Sequence, residues 1–171
     1  MTDQEIIKLT LETDKENFAY LVERYQRQIL AYISRLLNFN QTNTEDVASQ
    51  TFMKVYINLA AYNHTLKFSS WLYRIAHNEA INFLKSNNKH LSFDPQNIDF
   101  HEIGDDKDPR IMSSQDLQKY LDKLSDSDKN ILTLFYLQEL SIAEIAEILK
   151  TTTGSVKSRL SQARKKARQL L

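Results

Sequence analysis

Glycine is the scarcest informative residue in this chain, with two in 171 positions, Gly104 and Gly154. Average usage of about 7% would supply roughly twelve. A dinucleotide fingerprint, a phosphate-binding P-loop and a nucleophile elbow each need at least two glycines at fixed spacing, so none can be written here. Tight hairpins also lean on glycine, which argues against a β-sandwich or barrel. Cysteine is absent, which removes disulfides, thiolate catalysis and every Cys-containing zinc or iron–sulfur site. Long hydrophobic runs are missing as well. The longest, Ile131 to Leu137, is seven residues and includes Thr133, against roughly 18 needed to span a bilayer. The opening MTDQEIIKLTLETDKENF has no signal-peptide pattern. What remains, 42% hydrophobic and 26% charged, can build a core. The expectation is an intracellular, helical, non-redox protein without membrane insertion.

Net charge is zero, but the charge is sorted along the chain. Between Asp94 and Asp108 six carboxylates (Asp94, Asp99, Glu102, Asp105, Asp106, Asp108) face one Lys107. From Lys150 onward there are seven basic residues (Lys150, Lys157, Arg159, Arg164, Lys165, Lys166, Arg168) and no acidic one. A basic terminal helix suits a polyanion partner; it also suits a plain solvated helix end favoured by the helix dipole. Both prolines and Gly104 fall within residues 92–112, which read as an acidic linker. It would join a helical domain over residues 1–91 to a second over 113–171.

In the first domain, Thr13 with Glu16 has the form of a capping box, followed by Phe18, Leu21, Val22, Tyr25, Ile29, Tyr32, Ile33 and Leu36 at helical spacing. Asn43 or Thr44 can cap a second helix with Ala48, Phe52, Val55, Tyr56 and Leu59 inward. Ser69 can cap a third with Leu72, Ile75, Ala76, Ala80 and Phe83 inward. The second domain reads as helices around Leu117 to Leu124 and from Ser125 through Leu137, then a pair from Ser141 and Thr153. The fold class is all-α, in two small domains.

The last pair carries the strongest chemical signal. Ser141-Ile-Ala-Glu144 is a capping-box pattern, Ile142, Ile145, Ala146 and Leu149 form one stripe, and a short turn leads to Val156, Leu160, Ala163, Ala167 and Leu170. Helix, tight turn and second helix make a helix-turn-helix unit. At about 100° per residue, Ser158, Ser161 and Lys165 lie opposite the buried arc. Lys157, Gln162 and Arg168 flank them, and Arg159, Arg164 and Lys166 sit nearer the shoulders. Polar groups outward with cations beside them are what major-groove entry requires. A helical hairpin with a solvated face would look similar.

On the second helix, the face away from the core presents Asp46, Gln50, Met53, Lys54 and Ile57; exposed apolar side chains among polar ones suggest a partner surface, or packing on another segment. On the third, Trp71, Arg74, Asn78, Asn82 and Lys85 share a ridge that can stack on bases, bond their edges and pair with phosphates. Trp71 is equally at home in a core. No histidine pair among His64, His77, His90 and His101 has metal-site spacing, and no catalytic constellation is spaced for chemistry. The histidines read as surface or DNA-facing residues, and neither a metal nor a cofactor is expected.

These stretches are similar to a known family. Leu124-Ser-Asp-Ser-Asp, Leu140-Ser-Ile-Ala-Glu-Ile-Ala-Glu-Ile-Leu149 and Gly154-Ser-Val-Lys-Ser-Arg-Leu160 with Ala163-Arg164 resemble region 4 of bacterial sigma factors, most of all the small extracytoplasmic-function group. Thr44-Glu-Asp-Val-Ala-Ser-Gln-Thr-Phe-Met-Lys54 and Phe68-Ser-Ser-Trp-Leu-Tyr-Arg-Ile-Ala-His-Asn78 resemble region 2. The resemblance implies a transcription initiation factor, not an enzyme, acting in the cytoplasm with core RNA polymerase (its β′ coiled coil and β flap) and promoter DNA. An anti-sigma factor is a further candidate partner. It implies that Thr153, Ser155, Lys157, Ser158, Arg159, Ser161, Gln162, Arg164 and Lys165 meet a minus-thirty-five element. Asn63, His64, Lys67, Trp71, Arg74, Asn78, Asn82 and Lys85 would meet the minus-ten element, where a base leaves the stack for a pocket. Asp46, Ser49, Gln50, Met53, Lys54 and Ile57 would grip polymerase. The family's usual Gln is Ser49 here, its following acidic position is Gln50, and its usual Asp and Arg are Asn82 and Lys85, so some contacts differ. The rival readings are a dimeric helix-turn-helix regulator, for which no long heptad is present, and a helical hydrolase using His77 and Glu79, whose deaminase-like pattern lacks the required cysteines.

Overall fold

A computed structural model describes residues 1–37, 40–87 and 124–169. The chain divides into two compact units, Met1–Leu91 and Ser92–Leu171. All regular structure among the described residues is helical. The acidic segment between Asp94 and Asp108, and the helix expected around Leu117, lie outside the described residues.

The first unit opens with a helix that the periodicity missed, α1 (Asp3–Glu12), burying Ile6, Ile7 and Thr10. Its cap is a complete capping box. Thr2 Oγ1 accepts from Glu5 N at 3.2 Å, and Glu5 Oε2 accepts from Thr2 N at 2.7 Å. These bonds hold the Glu5 carboxylate below its usual range. Thr13, expected to open the next helix, instead closes α1, and Asp14 caps the single 3₁₀ turn Lys15–Asn17 that leads into α2 (Phe18–Leu36). Asp14, shorter than a Thr13 box by one residue, reaches Glu16 N at 2.9 Å.

Helix α3 (Gln41–Ile57) starts three or four residues earlier than a cap at Asn43 or Thr44 would place it, because Asn40 supplies the cap to Asn43 N at 3.1 Å. Its buried face is Thr44, Val47, Ala48, Thr51 and Val55. Phe52 is only half-buried, and Tyr56 is 37% exposed, its ring edge-to-face with Phe18 at a centroid separation of 5.2 Å. The rotation has a local cause. The Thr44 and Thr51 hydroxyls donate to the carbonyls of Asn40 and Val47, so both threonines are self-satisfied and pack as small residues.

Helix α4 (Phe68–Asn87) packs against α2 and α3 and is buried on a wide arc that adds Ser70, Trp71, Tyr73, His77 and Glu79 to the expected Leu72, Ala76 and Ala80. Ile75 and Phe83 are half-buried. The helix begins one residue before Ser69, since Phe68 joins a ring cluster with Tyr62 and Trp71. His77 is not at the surface: it is 5% exposed, and its Nδ1 lies 2.9 Å from the Tyr32 hydroxyl.

Burial raises the phenols of Tyr25, Tyr32 and Tyr73, in Tyr25 with help from a hydrogen bond to Asp3. A raised folded-state value leaves stability intact below the ordinary tyrosine value of about 10 and withdraws it above, by up to about 1.4 kcal/mol per pH unit per group. Denaturation followed by Trp71 fluorescence, the chain having one tryptophan, is therefore expected to show a falling midpoint above pH 10. A midpoint flat to pH 11.5 would contradict these burials.

In the second unit, α5 (Asp126–Leu132) is capped by Ser125 and runs into a π-helical turn, Thr133–Leu137. Then come α6 (Ile142–Ile148) and α7 (Thr153–Gln169), with α7 packed on both α5 and α6. Two turn residues have positive φ, Glu139 (51°) and Lys150 (52°). Lys150 follows the α6 C-cap in a Schellman arrangement: Thr151 N donates to Ala146 O at 2.9 Å, and Lys150 N to Glu147 O at 3.3 Å. Glycine ordinarily takes this position, and a side chain there costs about 1 kcal/mol. Lys150→Gly should raise the melting transition of this unit by about 1 kcal/mol in circular dichroism, leaving the Trp71-detected transition in place; a lowered transition would show that the Lys150 side chain holds the turn.

Candidate nucleic-acid interface

The helix-turn-helix is built by local signals that agree. Ser141 and Glu144 form the capping box of α6, with Ser141 N donating to Glu144 Oε2 at 2.7 Å. Across the turn, Thr152 Oγ1 accepts from Ser155 N at 3.1 Å, which caps α7. Val156, Leu160, Ala163 and Ala167 are buried, matching the arc expected of this helix.

The opposite side of α7 holds most of the expected DNA-facing residues. Thr153, Lys157 and Lys165 are exposed, and Arg159, Ser161 and Gln162 are half-buried. Three others differ. Ser155 is buried and its hydroxyl lies 3.0 Å from that of Thr152, so it belongs to the cap rather than to a groove-facing surface. Ser158 is half-buried, and its hydroxyl is buried without a hydrogen-bond partner. Arg164 is 8% exposed and donates through Nε to Leu160 O at 3.2 Å, while its Nη1 is buried and unpartnered. Helical arithmetic puts Arg164 beside the buried arc, and a long methylene stem can fold inward there. Lys166 is also committed: its ammonium bonds the buried Asp128 carboxylate at 2.7 Å. Among the described side chains, the cations left on the outward side of α7 are Lys157, Lys165 and Arg159.

In the first unit the α3 ridge is exposed along its length. Asp46, Ser49 and Gln50 are exposed, Met53 is 61% exposed and Ile57 is 68% exposed. Lys54 shares this ridge, yet its ammonium bonds Glu79 Oε1 of α4 at 2.7 Å, with the Glu79 side chain 8% exposed. That pair ties the α3 ridge to α4, and no spacing rule in the sequence reveals it.

The α4 ridge is graded. Trp71, 9% exposed, sits in the ring cluster, 5.2 Å from Tyr62, and so shapes the base of the ridge rather than offering a free face. Arg74 and Asn78 are half-buried, and Asn82 and Lys85 are exposed. In the loop before α4, Asn63, His64 and Lys67 are exposed. Asn63 Oδ1 accepts from Thr65 N at 3.0 Å and Thr65 Oγ1 at 2.8 Å, an Asx turn that shapes the loop. The His64 ring packs on Tyr62, centroids 5.0 Å apart. Sequence reasoning missed the N-terminal segment, whose Gln4 Nε2 donates to His64 O at 3.4 Å. The available signal was Thr2-Asp-Gln-Glu5, a capping box directly before Ile6 and Ile7.

Among the described residues no group of three or more His, Asp or Glu could hold a metal ion, and no helix is long and apolar enough to cross a membrane. Two helical units, one with an exposed ridge of polar and apolar side chains, the other a helix-turn-helix with cations outward, define a two-domain helical protein of the helix-turn-helix class.

Comparison with known proteins refines that class. Residues 21–90 match the sigma-70 region 2 family and residues 114–166 the sigma-70 region 4 family. The extracytoplasmic-function (ECF) RNA polymerase sigma factor SigW of Bacillus subtilis is 30% identical over 177 residues, covering 96% of this chain and 94% of that protein. The ECF RNA polymerase sigma-E factor of Haemophilus influenzae is 31% identical over 176 residues, covering 96% and 92%. The fold is similar to that of CnrH in complex with the cytosolic domain of CnrY, with TM-score 0.68 at 20% identity over 98% of this chain and 96% of that one. It is also similar to the sigma factor RpoE in complex with the anti-sigma factor NepR from Bartonella quintana, with TM-score 0.68 at 20% identity over 91% and 96%. The chain belongs to the sigma-70 family of RNA polymerase sigma factors, in its extracytoplasmic-function group.

Proposed function

We propose that this chain binds core RNA polymerase, directs it to a two-part promoter and assists strand opening at the minus-ten element. The observation that carries the reading is the α3 ridge, where Met53 and Ile57 stay 61% and 68% exposed beside Asp46, Ser49 and Gln50. Apolar side chains held in water on a capped, well-packed helix serve a partner surface, here the β′ coiled coil of polymerase. Lys54 borders that surface and also steadies it through Glu79.

In this reading Lys157 and Gln162 read base edges of the minus-thirty-five element, with Thr153, Ser161, Arg159 and Lys165 on its backbone. Contact with the β flap is assigned to this second unit. The loop residues Asn63, His64 and Lys67 and the ridge Arg74, Asn78, Asn82 and Lys85 engage the minus-ten strand, above the Trp71 cluster. The chain works in the cytoplasm and carries out no reaction of its own; polymerase supplies the chemistry. An anti-sigma factor is a further proposed partner, supported by the bound partner in the RpoE structure.

The test is retention of genomic fragments by core polymerase with and without the purified chain. Fragments retained only with both proteins should share two sequence blocks at a fixed separation. Fragments retained by the chain alone on palindromic sites would favour a dimeric regulator and overturn the reading.

A further inference from the structure

Two buried ionisable side chains of α4, His77 and Glu79, belong to neither the polymerase surface nor the DNA surface assigned above. They stand two residues apart, about 200° around the helix, so they leave it on opposite flanks. His77 reaches α2, where its Nδ1 is 2.9 Å from the Tyr32 hydroxyl. Glu79 reaches α3, where its Oε1 accepts from the Lys54 ammonium at 2.7 Å. Asn78 projects midway between them, away from the core, and Arg74, Asn82 and Lys85 fall within about 40° of it. The DNA-facing ridge is thus bracketed by one polar tie on each side. Beneath the ridge the packing is smooth. Ala76 and Ala80 are fully buried, and two methyl groups set how deep α4 sits better than how far it is rolled. An ion pair with a partner this buried adds little net stability over an apolar pair of like size, and its best-attested use is to fix register.

We propose that Glu79 is a positioning residue for promoter opening: by holding the Lys54 ammonium it fixes the roll of α4 against α3, with the His77–Tyr32 contact as the brace on the other flank, and so aims the ridge around Asn78. The inference rests on the proposed function and adds to it residues that contact neither polymerase nor DNA. Lys54 lies next to Met53 and one turn from Ile57 on the α3 ridge, and Glu79 lies next to Asn78 and one turn from Asn82 on α4. One hydrogen bond therefore runs directly from the helix that docks to the helix that meets the strand. Side chains reach about 5–6 Å from a helix axis, so a roll of about 20° shifts their tips by roughly 2 Å. Binding groups need placement within about 0.5 Å and 10–20°. A released α4 exceeds that.

Methionine matches the length of glutamate and suits a buried site, and the Lys54 side chain, 52% exposed, can turn to water once released. Glu79→Met should therefore fold, with circular dichroism as the check. The experiment is promoter opening by core polymerase plus the full chain, read by the fluorescence of 2-aminopurine in the minus-ten block as chain concentration is raised. The half-saturating concentration reports docking, and the opening rate at saturation reports the aim of α4. Glu79→Met should lose about tenfold in the saturated rate, within the coupling range of residues in contact, and keep its half-saturating concentration within about twofold. Glu79→Gln, which can still accept from Lys54, should lose less. Lys54→Met should lower the saturated rate as Glu79→Met does, and the double variant no further, because both remove one tie. If Glu79→Met melts below the assay temperature, the double variant, apolar on both sides, gives the same reading. An unchanged saturated rate would overturn the inference while leaving the proposed function intact. A raised half-saturating concentration with full opening at saturation would also overturn it, because a merely structural residue acts through the folded fraction. Losses that multiply in the double variant would do the same. No opening with the parent chain would overturn the proposed function itself.

Discussion

Met53→Glu combined with Ile57→Glu is expected to abolish co-purification with core polymerase while the chain remains folded. Both side chains lie on the outward ridge of α3, 61% and 68% exposed, so neither contributes to the core that Val47, Thr51 and Val55 form. Interface residues of this kind, apolar and central, cost at least about 2 kcal/mol each when lost. Two charges placed there should weaken binding by more than about a hundredfold. The effect on folding is small by comparison. Glu at position 57 meets the negative end of the α3 dipole, which costs about 0.3–1 kcal/mol and lowers melting by a few degrees. Binding is read by pull-down on immobilised core polymerase and folding by circular dichroism. Retained binding with normal melting would exclude the ridge as the docking surface. Unfolding would mean that these side chains are covered by another segment.

The second large effect separates three residues of α7 that the sequence all turns toward DNA. Lys157→Ala and Gln162→Ala should each lose discrimination at a base pair of the minus-thirty-five element, worth about 1–3 kcal/mol, with melting unchanged. Arg164→Ala should behave differently. From the sequence it is a shoulder cation, whose loss would weaken binding to all duplexes and flatten the salt dependence. Its burial to 8% exposure and its bond to Leu160 O make it a packing residue. Its removal should therefore cost the second unit about 1–2 kcal/mol of stability and leave the salt slope of the folded protein unchanged. Duplex affinity measured across salt concentrations, alongside melting curves, distinguishes these outcomes. A reduced salt slope for Arg164→Ala with unaltered melting would return that residue to the DNA surface.

Arg164 illustrates where the sequence stops being legible. Its position on the helix can be counted, but a long side chain at the edge of a buried arc can turn either way, and only packing decides. Ser155 is similar: position places it at the start of a DNA-facing helix, while its hydroxyl is taken up at the cap with Thr152. The α3 core was misjudged at Phe52 and Tyr56 because hydrophobicity alone ranks them above Thr44 and Thr51, and the hydroxyl bonds back to the helix are not part of that ranking. What was readable was local and redundant. The Ser141–Glu144 box, the Val156-Leu160-Ala163-Ala167 stripe and the exposed Asp46-Gln50-Met53-Ile57 ridge each follow from spacing of four residues or fewer, and the structure keeps them. Contacts that join distant segments, Lys54 with Glu79 and Gln4 with the His64 carbonyl, leave no trace in spacing. The linker carboxylates between Asp94 and Asp108 lie outside the described residues.

The most direct measurement is run-off transcription with purified chain and core polymerase on DNA templates retained by the complex. The account predicts discrete transcripts that need both proteins, start a fixed distance from the two shared sequence blocks, and vanish with the Met53→Glu, Ile57→Glu protein. Transcripts no different from those of core polymerase alone, with the chain folded and bound to duplex DNA, would contradict it.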